Sequence, residues 1–159
     1  MGPISPRMKR AYAGSGYRPA TTREGSTSVN PQTLDHLSTA MHGEAFAYLS
    51  YLLYAEQARK EGRLDLAALF ERTARIEAFE HFAEEAELAG LVGTSVENLQ
   101  KAIDGESYEV STMYREFAEE AASVGDTAAA DRFGEIRGDE MGHRNAFETA
   151  LESMKVVPA

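Results

Sequence analysis

From Leu34 onward, apolar residues recur at spacings of three and four, which is the period of a helix face. Asn30-Pro31 reads as an N-cap followed by proline at the first helical position. The pattern predicts a first helix over about 32–60, ending near Gly62. A second runs over about 64–89 and stops at Gly90, with Gly93 just beyond. The third is expected from Ser95 to Val124, closed by Gly125, and the fourth over about 127–154, with Asp126 able to cap it. No stretch alternates as a strand would.

The two halves repeat. Gly43-Glu44 corresponds to Gly105-Glu106 at an offset of 62, while Gly62, Phe70 and Glu77 correspond to Gly125, Phe133 and Glu140 at an offset of 63. Two similar hairpins around one core predict an all-α, four-helix bundle.

The inward stripes are not wholly apolar. In the fourth helix, Ala129, Phe133, Ile136, Glu140, His143, Phe147, Ala150 and Met154 share one face. Leu34, Leu37, Met41, Glu44, Tyr48, Tyr51 and Ala55 do so in the first helix. The third gives Leu99, Ala102, Glu106, Glu109, Met113 and Phe117, and in the second Phe70 leads to Glu77 and then Glu80 or His81. Glu44 lies 18 residues before Gly62 and Glu77 15 after it; Glu106 lies 19 before Gly125 and Glu140 15 after it. At about 1.5 Å per residue, each hairpin brings its carboxylates to nearly one level. Desolvating such groups bare costs several kcal/mol each, so cations are expected among them. Carboxylate plus imidazole without sulfur suits iron or manganese, with zinc a possible substitute.

Composition narrows the field. The chain of 159 residues has no cysteine, which excludes disulfides, Cys-ligated zinc, iron–sulfur centres and thiol nucleophiles in it. Net charge is −10, which disfavours nucleic acid and anionic lipid as partners. Nothing approaches the roughly 18 apolar residues of a membrane helix, so a cytoplasmic setting is expected. Residues 1–30 differ from the rest: Arg7, Lys9, Arg10, Arg18 and Arg23 face one acid, Glu24, in a Gly/Pro/Ser/Thr-rich segment. This segment reads as a basic tail preceding a bundle over 31–159.

These residues resemble the ferritin-like di-iron carboxylate pattern, a Glu from two helices and a Glu-x-x-His from the other two. More narrowly, the chain resembles rubrerythrin over about 34–154. The likeness rests on Gly43-Glu44 with Tyr51 seven residues on, on Glu106-Ser-Tyr-Glu109 with Met113-Tyr114, and on Glu140-Met-Gly-His143. The second helix departs from it, reading Glu77-Ala-Phe-Glu80-His81. Glu80 aligns with His143 at an offset of 63 and is the preferred ligand there; a local helix bulge would bring His81 in instead. The cysteine-free chain looks like the short erythrin type, without the rubredoxin domain usual in the family.

The resemblance implies two iron ions held by Glu44, Glu77, Glu80 or His81, Glu106, Glu109, Glu140 and His143. It also implies hydroxyls of Tyr51 and Tyr114 aimed at that pocket, and reduction of hydrogen peroxide to water with electrons from an external protein. A ferroxidase or oxidase using oxygen is the alternative, as is a binding module attached through the tail. His36 and His42 read as surface or packing residues, Glu84, Glu85 and Glu87 as a solvated face, and Tyr48, Tyr54, Phe46 and Phe79 as packing.

One length sets the expected assembly. Helices two and three of a ferritin-type bundle run parallel, so their link must recross about 30 Å, the length of a 20-residue helix. Five extended residues reach only about 18 Å. The hairpins are therefore expected to exchange between two chains in a homodimer.

Overall fold

The computed structural model describes residues 29–155. The basic tail expected over 1–30 lies, apart from its last two residues, outside that span. Four helices and no strand occur among the described residues. Helix α1 is Pro31–Lys60. Helix α2 is composite: Leu64–Ile76, a π turn over Glu77–His81, then Phe82–Ala89. Helix α3 is built the same way, from Ser95–Tyr108, a π turn over Glu109–Met113, and Tyr114–Ser123. Helix α4 is Thr127–Lys155. Every boundary falls within one residue of the periodicity reading; the π turn of α2 is the local bulge the sequence allowed for, and that of α3 is new.

Local chemistry accounts for the ends. The Asn30 side chain accepts the Gln32 amide at 2.9 Å, with Pro31 at the first helical position. Gly62 and Gly125 turn the two hairpins at φ +72° and +87°, a backbone region open mainly to glycine. Thr94 and Glu97 form a reciprocal capping box, with the Thr94 amide donating to Glu97 Oε2 at 2.7 Å and the Glu97 amide to Thr94 Oγ1 at 3.3 Å. The Thr94 amide, with the Thr94 hydroxyl, holds the Glu97 carboxyl below its ordinary range. Asp126 meets α4 through its backbone carbonyl, which accepts from the Ala129 and Ala130 amides.

The chain divides after Val92 into two compact units, one hairpin in each. In the first, α1 packs on α2 through two apolar clusters. Met41, Ala86 and Ala89 form one, against Leu34, Leu37, Phe82 and Leu91. Ala55, Ala58 and Ala67 form the other, against Leu66 and Phe70. Alanine at the contacts lets the helices approach closely. In the second hairpin Ile103 and Val110 are buried, and Phe117, Phe133 and Ile136 half-buried.

Much apolar surface stays open. Phe46 and Phe79, expected as packing, are 64% and 72% exposed. Leu49 and Leu53 extend the Phe46 stripe along α1 and are exposed too.

Candidate metal centre

Between the two apolar clusters of the first hairpin, the ligand atoms of Glu44, Glu77 and His81 lie within 4.8 Å of one another. His81 Nδ1 is 2.8 Å from Glu77 Oε2. Burial raises the Glu44 carboxyl above its ordinary range, helped by a hydrogen bond to Glu77 and that group's charge.

The second hairpin builds the same arrangement. Glu106 on α3 joins Glu140 and His143 on α4, again with ligand atoms within 4.8 Å. His143 Nδ1 stands 2.6 Å from Glu140 Oε2 and 4.0 Å from Glu106 Oε1. Burial pushes Glu106 up, as do a hydrogen bond to Glu140 and the charges of Glu140 and Glu109. Glu109 is raised by burial and then by Glu140, and His143 is raised chiefly by its hydrogen bond to Glu140. In both triads the carboxylates are the sheltered members. Glu77 and Glu140 side chains are 14% and 16% exposed, whereas His81 and His143 are 53% and 59% exposed.

Glu80, preferred from the sequence, is exposed and stands outside these groups, and His81 takes the place beside Glu77. The cause is the π turn over Glu77–His81. A π turn adds one residue to the helix, so a side chain four positions on occupies the place a regular helix gives to the third. Glu77 and His81 thereby match Glu140 and His143 despite the different spacing.

The repeat offsets record both insertions. Glu44 and Glu106 are 62 apart, but Tyr51 and Tyr114 are 63 apart, and the π turn of α3 lies in between. Glu77 and Glu140 are 63 apart, but His81 and His143 are 62 apart, and the π turn of α2 lies in between. Carrying a single offset through the second half of the repeat is what aligned Glu80 with His143.

Tyr51 and Tyr114 occupy matching aromatic nests. Tyr51 packs against Tyr54 and Phe70, with centroids 6.2 and 6.0 Å away. Tyr114 packs against Phe117 and Phe133 at 6.4 and 6.2 Å. Glu85 corrects the sequence reading. It was expected on a solvated face with Glu84 and Glu87, which are exposed, but it is half-buried and its charge reaches Glu44. Its position eight residues after Glu77, on the same stripe, was the available signal. His36 and His42 are exposed, as expected.

The donor set suits a hard or borderline divalent metal. Each triad offers two carboxylates and one imidazole without sulfur. Glu106 Oε2 is shielded from solvent and has no hydrogen-bond partner, an uncompensated acceptor that a cation would satisfy.

Fold and site together define an all-α protein of two helical hairpins, each with its own carboxylate–histidine triad. The family model for rubrerythrin matches residues 35–151. Rubrerythrin-2 of Clostridium acetobutylicum is 31% identical over 139 residues, covering 79% of this chain and 76% of that protein. Rubrerythrin of Porphyromonas gingivalis is 34% identical over 132 residues, covering 76% of this chain and 66% of that protein. Nigerythrin of Nitratidesulfovibrio vulgaris is 30% identical over 145 residues, covering 82% and 71%. A solved structure of nigerythrin in its fully reduced, all-ferrous state is 28% identical and covers 86% of this chain and 74% of that one, with a TM-score of 0.40. The chain belongs to the rubrerythrin family, and its fold class is the ferritin-like all-α one.

Proposed function

We propose that this protein is a di-iron peroxidase, reducing hydrogen peroxide to water with electrons from an external protein donor. The observation that carries the reading is the pair of matched triads, Glu44–Glu77–His81 and Glu106–Glu140–His143, in a chain of this family. In the proposal, Glu44, Glu77 and His81 hold one ion and Glu106, Glu140 and His143 the other, with Glu109 an additional carboxylate beside Glu140. Manganese or zinc fits the same donors; zinc has no redox chemistry to serve the reaction, and iron is assigned over manganese because the chain belongs to this family. A bound iron pair would supply two electrons, so that peroxide, two protons and two electrons give two waters. The residues' part is to hold charge: the carboxylates give up their protons as the ions bind and then balance the ions' charge. Tyr51 and Tyr114, fixed in their nests, orient hydroxyls toward the site.

The assembly belongs to the same proposal. The link from α2 to α3 is Gly90–Thr94, five residues long. Exchange of hairpins in a homodimer completes each four-helix bundle and covers apolar surface that one hairpin leaves open. No helix among the described residues is long and apolar enough to cross a membrane, and we assign the protein to the cytoplasm.

Stopped-flow mixing of anaerobically iron-loaded protein with peroxide, and separately with air-saturated buffer, tests the reading. Oxidation by peroxide at least about tenfold faster than by oxygen supports it. Faster oxidation by oxygen points to a ferroxidase instead.

A further inference from the structure

The repeat does not require the π turns, and the two hairpins carry them on non-equivalent helices. Helix α1 is α-helical throughout, whereas its counterpart α3 carries the π turn over Glu109–Met113. In that turn the Tyr114 amide reaches back five residues to the Glu109 carbonyl. A change from four-residue to five-residue spacing displaces one carbonyl from the ordinary ladder, and that carbonyl needs a donor from elsewhere. The Val110 carbonyl, inside the turn, accepts from Arg137 Nε of α4 at 2.8 Å. Val110 is buried and Arg137 half-buried, so water is a poor substitute for this donor. At the corresponding place in the other hairpin, 63 residues earlier, stands Ala74, fully buried. The arginine is present where a π turn lies opposite and replaced by alanine where none does.

We infer that Arg137 is a positioning residue: its bond to the Val110 carbonyl holds the α3 π turn open, and the turn in turn sets Glu109 and Tyr114 beside the Glu106–Glu140–His143 triad. The turn begins at Glu109 and ends against Tyr114, so both depend on its register. Glu109 is near enough for the charges of Glu140 and His143 to act on it. Tyr114 sits one residue further from Glu106 than Tyr51 does from Glu44, and the extra residue of the turn restores the matching aromatic nest. The part of this inference that concerns metal rests on the proposed function, and the part that concerns the turn does not.

The test uses the full chain as wild type, Arg137→Met, Arg137→Lys, Glu109→Gln and the Arg137→Met/Glu109→Gln double variant. Amide hydrogen exchange on metal-free protein reads the turn. Arg137→Met should speed exchange of amides 110–115 at least about tenfold, leaving α1 and α2 unchanged, and Arg137→Lys, which keeps a donor, should lie nearer wild type. Cobalt(II) titration followed by visible absorption reads the site. Arg137→Met and Glu109→Gln should each weaken binding about tenfold, in the range of outer-shell changes, and shift the bands alike. The double variant should lose no more than either single one. Unchanged exchange at 110–115, uniform acceleration through the hairpin, or multiplying losses in the double variant would overturn the inference. If Arg137→Met fails to fold, Arg137→Lys carries the test: exchange at 110–115 slower than in an Arg137→Ala variant, which has no side-chain donor, supports the clamp, and equal rates contradict it. Wild type that binds no cobalt would sink the metal reading, and exchange alone would still judge the clamp.

Discussion

The imidazole of each triad is paired with a carboxylate on its own helix, and that pairing sets what single substitutions should do. His81→Ala should weaken metal binding by more than the roughly 10–100-fold that outer-shell changes cost, whereas Glu80→Ala should leave it within about twofold. Equilibrium competition with a chromophoric chelator measures both, and the reverse ranking would restore Glu80 as the ligand. The raised carboxyls predict a pH dependence with a definite sign. Glu44, Glu106 and Glu109 bind protons more tightly in the folded chain than the ordinary value of 4.5 allows, and His143 more tightly than 6.5. Their contribution is therefore full at low pH and is lost as pH rises through the folded values. Metal-free protein should melt higher at pH 5.5 than at pH 7.5. Metal binding must displace those protons, so the stabilisation it gives should grow over the same interval. Calorimetry with and without cobalt checks both, and a metal-free melting point that climbs with pH contradicts the assignment.

At the scale of the helices, most of the fold could be read directly. Asn30-Pro31, Gly62, Gly90 and Gly125 mark ends that the backbone respects, because caps and left-handed glycines act locally. The triads were legible too, since Glu44, Glu106, Glu140 and His143 fall on regular stripes. His81 was legible only as the alternative to Glu80, through a local bulge, because a π turn breaks the very period that stripe reading assumes. Its trace was arithmetic: the offset between halves moves from 62 to 63 and back. Glu85 escaped because its neighbours Glu84 and Glu87 are ordinary surface residues. Exposure of Phe46 and Phe79 could not be foreseen, since a stripe names a face without saying what covers it. If the α2 π turn is one inserted residue, deleting Ala78 should give a regular helix with Glu-x-x-His spacing and an unshifted face downstream. Its melting point should stay within a few degrees of wild type and its cobalt binding within about tenfold. Unfolding, or loss of binding, would show that the turn does more than absorb an insertion.

Over the whole molecule, the buried residues are chiefly alanines, and no large side chain is fully buried among those described. Large exposed apolar patches mark interaction surfaces, and hairpin exchange between two copies is the proposed remedy. Light scattering should give twice the mass of 17.4 kDa. Lengthening Gly90–Thr94 by about ten flexible residues should allow the hairpins to pair within one chain and yield a metal-binding monomer. A wild-type monomer would contradict the exchange.

The most direct test of the central claim is anaerobic titration of the metal-free protein with ferrous iron, with elemental analysis of the filtered product. Two triads per chain predict saturation at two ions, falling to about one when Glu44→Gln and His81→Ala are combined. Titration without a break, or saturation unchanged by that double substitution, would contradict a paired-metal centre built from these residues.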